Sequence, residues 1–319
     1  MEPLKENISS HEYFIFSGFS ELGALKSFIS IPFLILFFVS LFANSLLIYV
    51  VISQRSLHSP MYILIACMSF VDMCLPLILI PNLLLNVLFN TSGISLSGCL
   101  VQMFLIHMLG ACQSALLVWM ALDRYFAICR PLSYHDHMSL PGFLQFVIPL
   151  LVRNVVMIVT VVILAGKVSF CFRNVINHCV CEHMALVELG CGSTAINSLV
   201  GLLGVFMVTV VDFLCITASY IIIFRSVLRS GKSSAKALHT CFTHIIVMVI
   251  SLTFVLTAFL SYRMNSLPNA GRLFVSIMYM FLPSCINPII YGVRTTEIRQ
   301  SILKVFKDKV TVKCYCVHR

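Results

Sequence analysis

The amino-acid sequence predicts an all-α membrane protein, a seven-transmembrane helix bundle with a short amphipathic C-terminal helix. Three observations predict it. Of 319 residues, 60% are hydrophobic and 10% charged, with a mean hydropathy of +1.00, whereas a soluble domain carries about a quarter charged residues. The apolar residues form long unbroken runs rather than alternating with period two, which selects helices over a β-barrel. The basic residues are shared unequally between the connecting segments, as they are when one side of a membrane is cytoplasmic.

A bilayer core asks for about 20 apolar residues per helix, because every backbone polar group must be satisfied inside the segment. Seven stretches meet that length, roughly 28–53, 60–88, 98–128, 142–165, 195–224, 238–262 and 271–293. The third is closed by Asp123-Arg124 and by Arg130-Pro131. Connections are short except before the fifth stretch, where residues 166–194 are polar and cysteine-rich. With no internal repeat or low-complexity linker, the expected organisation is an outer tail (1–27), one membrane domain (28–293) and a cytoplasmic tail carrying the amphipathic helix (294–319). The opening residues are mixed polar, with acids where a basic n-region would stand, so no cleavable signal peptide is expected.

Placing the N-terminus outside puts fourteen Lys and Arg on the inner segments and six on the outer ones, with Arg153 alone inside the fourth span. Positive residues accumulate on the cytoplasmic side, so this orientation is the expected one. The net charge of +9 is then topology and contact with lipid headgroups, and no nucleic-acid partner is expected. Two glycosylation sequons, at Asn7 and Asn90, fall on the outer side.

Five of the 14 cysteines also fall outside: Cys99, Cys171, Cys179, Cys181 and Cys191. That compartment is oxidising, so disulfides are expected, though an odd number leaves the pairing open. A bridge from Cys99, at the top of the third span, to the long loop would staple a lid over the bundle. On the inner side, Cys314 and Cys316 lie beyond a basic segment, where lipidation and a free thiol are both ordinary states.

Five motifs then carry a resemblance. They are Leu57-His58-Ser59-Pro60-Met61-Tyr62, Met120-Ala121-Leu122-Asp123-Arg124-Tyr125-Phe126-Ala127-Ile128-Cys129-Arg130-Pro131-Leu132, Ser219-Tyr220, Lys236-Ala237-Leu238-His239-Thr240-Cys241, and Pro283-Ser284-Cys285-Ile286-Asn287-Pro288-Ile289-Ile290-Tyr291-Gly292. In this order and on these spans they resemble the odorant receptors, within the rhodopsin-like G-protein-coupled receptors. Cys181-Glu182-His183-Met184, Arg153 and Asp212 further resemble the class I, fish-like branch. The resemblance implies bridges Cys99–Cys181 and Cys171–Cys191, with Cys179 left over. It also implies a plasma-membrane location in the cilia of olfactory sensory neurons, a small-molecule odorant, and coupling to a stimulatory heterotrimeric G protein that raises cAMP.

From Cys99 to Arg124 is 25 residues, roughly a bilayer thickness at 1.5 Å per residue, which places Arg124 at the cytoplasmic mouth. By resemblance Asp123, Arg124 and Tyr125 hold the resting state, and Tyr220, Asn287, Pro288 and Tyr291 act on activation. The plainer account of Arg124 is an arginine snorkelling to headgroups. Asp72 lies mid-span and must face inward, toward Asn44, Asn287 and Ser284. Related receptors hold sodium beside this aspartate; Gln113 here replaces a usual glutamate, so no metal and no cofactor are expected. The span-six stretch Ser251-Leu252-Thr253-Phe254 lacks the family's proline and its kink.

The pocket is expected in the outer half of the bundle beneath the long loop. His107 lies roughly 12 Å below Cys99 along the helix and shares a face with Met103, Gly110, Ala111 and Ser114. His183 would hang over the same space from the Cys181 bridge, and Arg263 ends the sixth span at the outer rim. Two imidazoles and a guanidinium suit an anionic head, so the expected ligand is a small carboxylate or amino acid. Against that, Arg263 also reads as an interfacial anchor and His107 as a packed core histidine. The alternatives are a rhodopsin-like receptor for another ligand, or a transporter or channel, which would show inverted repeats and a line of charges. An enzyme is the least expected reading, because no nucleophile–base pairing, phosphate loop or metal-ligand spacing stands out.

Overall fold

The computed structural model describes residues 13–20, 23, 25–89, 93–171, 174–230, 235–263 and 268–317. Its long helices are α1 (Leu25–Ser53), α2 (Pro60–Phe89) and α3 (Leu96–Cys129). A short helix α4 (Tyr134–Met138), at the end of the bundle expected to be inner, leads into α5 (Leu140–Gly166), and a short helix α6 (His183–Val187), at the end expected to be outer, lies in the long loop. There follow α7 (Ala195–Val205), α8 (Val211–Ser230), α9 (Ala235–Arg263), α10 (Asn269–Arg294) and α11 (Thr296–Val317). A π-helical turn, Phe206–Val210, joins α7 to α8, so the two form one rod.

Among the described residues, six rods are long and apolar enough to cross a membrane: Ile31–Ser53, Pro60–Leu85, Leu96–Cys129, Leu140–Gly166, Ala195–Arg229 and Ala270–Arg294. Helix α9 runs for 29 residues, and its described side chains give a shorter apolar stretch, Ile245–Thr257. Local chemistry sets the helix starts. Pro60 opens α2, where its missing N–H costs nothing. The Ser95 hydroxyl accepts the Gly98 N–H at 3.2 Å and caps α3.

Helix α3 is the axis of the bundle, packed against α2, α5, α8 and α9, while α10 closes the circle against α1, α2 and α9. Residues such as Phe38, Phe42, Ile52 and Val152 stay exposed on the outside. That would be costly in water and is natural against acyl chains. The inner half is filled by Leu47, Met61, Ile65, Trp119, Met120 and Tyr291, and the outer half by Phe19, Phe33, Leu79, Ile106 and Phe281.

The outer end is not a loose tail and loops. Strand β1 (Tyr13–Phe16) lies between β2 (Gly93–Ser95), antiparallel to it, and β3 (Val175–Ile176), parallel to it. Its alternation points Phe14 and Phe16 inward and leaves Tyr13 and Ile15 outward. Phe14 meets Phe170 edge-on at 5.0 Å, over a cluster holding Cys99, Met103, Ile176 and Leu186. Part of the segment expected to be an outer tail is therefore the central strand of a lid.

Candidate functional site

Both bridges are formed, Cys99–Cys181 and Cys171–Cys191, and Cys179 is a free, buried thiol whose ionisation burial suppresses. The first ties the long loop to α3, and the Cys181 N–H adds a bond to Gln102 Oε1 at 2.9 Å. A third tie was not anticipated. His178 Nδ1 accepts the Val180 N–H at 3.1 Å, so its Nε2 carries the proton and donates to Ser276 Oγ on α10 at 3.0 Å. Burial pushes the His178 imidazole down to about 4, so it is neutral there. Nothing in the sequence pairs residue 178 with residue 276; that contact exists only once the lid is folded.

Beneath this lid lies a cavity of about 290 Å³, walled by α3, α5, the α7–α8 rod, α9 and α10. Of the residues expected to bind ligand, His107, Gly110, Ala111 and His183 line it. Met103 does not: it is fully buried under the lid beside Cys99 and Phe170. Helical spacing gave its face correctly, but the lid covers the first turns of that face. Its carbonyl still matters, because it accepts from His107 Nδ1 at 2.8 Å. Arg263 ends α9, and its side chain lies outside those described. Asn7 and Asn90 also lie outside the described residues, as do the side chains of Cys314 and Cys316 on α11.

The wall also holds a group the sequence reading did not weigh. Glu182 is the one formally charged side chain among the described lining residues. Its carboxyl caps α6, accepting the Ala185 N–H at 2.9 Å. Burial raises it to about 7, against the pull of the α6 N–H donors. The neighbouring His183 is pushed down to about 4 by burial and then by the His107 imidazole, so it is neutral near pH 7. Its ring lies against Gly201 of α7, where an added Cβ would sit 2.8 Å from the ring carbon Cε1.

Lower in the bundle, Arg153 and Asp212 find each other. Two Arg153 nitrogens lie 2.6 and 2.9 Å from the Asp212 oxygens, and Arg153 also donates to Asn154 Oδ1. Ser114, on the cavity wall, donates to Asp212 at 2.7 Å, and Asn154 donates to the Ala111 carbonyl at 3.2 Å. The opposite signs of two mid-span charges were the available signal.

Asp72 is fully buried and accepts from Gln113 and from Asn287 at 3.0 Å. Asn44, expected beside it, instead donates to the Ser40 and Ser284 carbonyls at 2.8 and 2.9 Å. Gln113 and Asn287 both reach the cavity floor, which joins the ligand end to this network. At the inner mouth, Arg124 pairs with Asp123 at 2.9 Å. Asp123 also accepts from the Tyr134 hydroxyl of α4 at 2.8 Å, a partner not foreseen. Burial and the Asp123 charge hold the Tyr134 phenol protonated. Tyr125 stacks edge-on with Phe126 at 5.3 Å. Tyr220 packs with Ile223 and Cys241, Tyr291 packs in the inner core, and Pro288 lies inside α10.

A lidded cavity inside a bundle of apolar rods, its floor reaching Gln113 and Asn287, with an Asp123–Arg124 pair at the other end, is an arrangement suited to a membrane receptor. The model of the olfactory receptor family matches residues 33–309, and the chain belongs to that family. Olfactory receptor 52N2 of Homo sapiens is 34% identical over 304 residues, covering 94% of this chain and 95% of that protein. Olfactory receptor 51F2 of Homo sapiens is 34% identical over 312 residues, covering 97% and 91%. Olfactory receptor 51E2 of Homo sapiens is 34% identical over 301 residues, covering 93% and 94%. The family is one of receptors, not enzymes, and its members bind odorants and couple to G proteins.

Proposed function

We propose that the chain crosses the plasma membrane seven times with its N-terminus outside, α9 supplying the seventh crossing and α11 lying as the amphipathic helix inside. It works in the cilia of olfactory sensory neurons, as a receptor of the class I, fish-like branch. A small odorant enters the cavity beneath the lid, and Arg124 leaves Asp123 to meet a stimulatory heterotrimeric G protein, with Tyr220 and Tyr291 receiving it and cAMP rising. The observation that carries this reading is the continuity of the cavity floor with Gln113 and Asn287, the two residues that hold Asp72.

Its test is a cAMP reporter in cells displaying the receptor, screened by chemical class of odorant. At least one class should raise cAMP, and Arg124→Ala should abolish the rise at equal surface density. An unaltered response in that variant overturns the coupling.

A second reading concerns the ligand alone. A carboxylate or amino acid would be gripped by Arg263 with His107 and His183. Glu182 in the same wall opposes an anion. Arg263→Ala should weaken the best acid at least tenfold if that reading is right.

A further inference from the structure

We infer that the outer end of the cavity is built for a neutral ligand bearing a hydroxyl group, an aliphatic alcohol or phenol, whose O–H donates to His107 Nε2. This deepens the receptor reading and rests on it.

The argument starts from a tautomer. A carbonyl oxygen can only accept, so the 2.8 Å contact between His107 Nδ1 and the Met103 carbonyl requires the proton on Nδ1. The neutral ring then has a bare lone pair on Nε2. Among the described residues nothing occupies it, and His107 lines the cavity. The site therefore asks for a donor.

A second group converges on the same space. His183 is 4% exposed and lines the cavity, and its Nε2 has no hydrogen-bond partner among the described residues. Among the described lining residues it is the one side chain with such an orphaned buried atom. Leaving a buried polar atom unpaired is costly, so its place on the wall points to a ligand that completes it. Among the described residues no hydrogen bond fixes either ring nitrogen, so this imidazole can take either tautomer. It can donate to the oxygen of a hydroxyl whose hydrogen is already given to His107. A hydroxyl, with one donor and two lone pairs, satisfies both rings at once.

Gly201 fixes where the second imidazole stands. A Cβ there would lie 2.8 Å from His183 Cε1 and 3.0 Å from Nδ1, so the ring can occupy its position only because residue 201 has no side chain. Gly201 is thus a specificity-determining position for the same ligand.

The competing ligand is an anion. It would need His107 or His183 to take up a proton in a buried site, and it would sit in a wall shared with the Glu182 carboxyl. Apolar side chains of the lining, among them Leu75, Ile106, Met157, Val161 and Leu202, suit a short hydrocarbon body.

The test varies the ligand before the protein. Purified full-length receptor in lipid nanodiscs is titrated with 1-hexanol, its methyl ether and hexanoate, and the thermal shift is followed. The alcohol should bind at least tenfold tighter than the ether, which keeps the oxygen and loses the donor, and tighter than the acid. His107→Phe should remove that preference, and Gly201→Ala should weaken the alcohol. Equal binding of alcohol and ether, or preference for the acid, overturns the inference. So does absence of any shift with all three; a cAMP response to some other odorant class would then leave the receptor reading standing.

Discussion

Arg153 of α5 and Asp212 of α8 form a two-pronged ion pair at 2.6 and 2.9 Å, and Ser114 of α3 donates to the same carboxylate at 2.7 Å. Three helices are thus tied at one point, next to the π-helical turn Phe206–Val210 that joins α7 to α8. Asp212 is buried, so removing its partner strands a charge in a medium that cannot hydrate it. Arg153→Ala should therefore destabilise the receptor by about 3–5 kcal/mol. The readouts are the unfolding midpoint of purified protein and the fraction reaching the cell surface. The double reversal Arg153→Asp with Asp212→Arg should recover part of the loss; a double variant no better than either single one would show that pairing is not what matters.

That pair also shows where sequence reading stops. The rods were legible because a run of about 20 apolar residues has one stable home. Two mid-span charges were legible as buried, but their pairing depends on how α5 and α8 rotate about their axes, which no local pattern encodes. The same limit placed Met103 on the ligand face and Asn44 beside Asp72. Helical spacing tells which residues share a face and not which neighbour covers it. Cavity residues His107, Gly110 and Ala111 were readable because the cover ends one turn above them.

The lid should be acid-sensitive through His178. Its folded value of about 4 lies below the ordinary 6.5, so on acidification the unfolded chain takes up the proton first. The contribution is present above 6.5 and is lost as pH falls toward 4. Between pH 7 and pH 5 that amounts to about 2 kcal/mol. Glu182, raised to about 7, works the other way: its contribution is present at low pH and lost as pH rises through 7. Comparing wild type with His178→Gln separates the two. The variant keeps a donor and an acceptor and should lose less of its unfolding midpoint between pH 7 and pH 5; an identical drop in both proteins would refute the role given to His178.

The two disulfides should differ in weight. Cys99–Cys181 closes a separation of 82 residues and Cys171–Cys191 one of 20. On the chain-entropy account these lengths are worth about 4.5 and about 3.3 kcal/mol. The longer bridge also brings His183 to the cavity. Cys99→Ser should cost more stability than Cys171→Ser and abolish ligand response. Surface density and odorant dose–response, measured side by side, check the order; a reversed order would count against the lid as the element that holds the cavity shut.

At the inner end, the Tyr134 hydroxyl and Arg124 both hold Asp123. Tyr134→Phe removes one of these bonds and leaves a buried carboxylate oxygen short of a donor. The resting arrangement should weaken by about 1–2 kcal/mol, and ligand-free cAMP per surface receptor should rise severalfold. A basal signal that stays level, with Asp123→Ala raising it, would locate the restraint in the Asp123–Arg124 pair alone.

The N-terminal strand gives the sharpest contrast between neighbours. Phe14 is completely buried against Phe170, while Tyr13 beside it is 57% exposed. The four strand residues, Tyr13, Phe14, Ile15 and Phe16, are all apolar but do not show by pattern which of them is covered; the strand is held by pairing with residues 93–95 and 175–176, which are remote in sequence. Truncating a buried phenylalanine costs about 3–5 kcal/mol, whereas an exposed side chain costs within about half a kcal/mol. Phe14→Ala should thus cut surface density and the unfolding midpoint sharply, and Tyr13→Ala should leave both near wild type. Equal and small effects would mean that the strand lies on the lid without supporting it. Equal and large effects would mean that the outward face of the sheet is also covered.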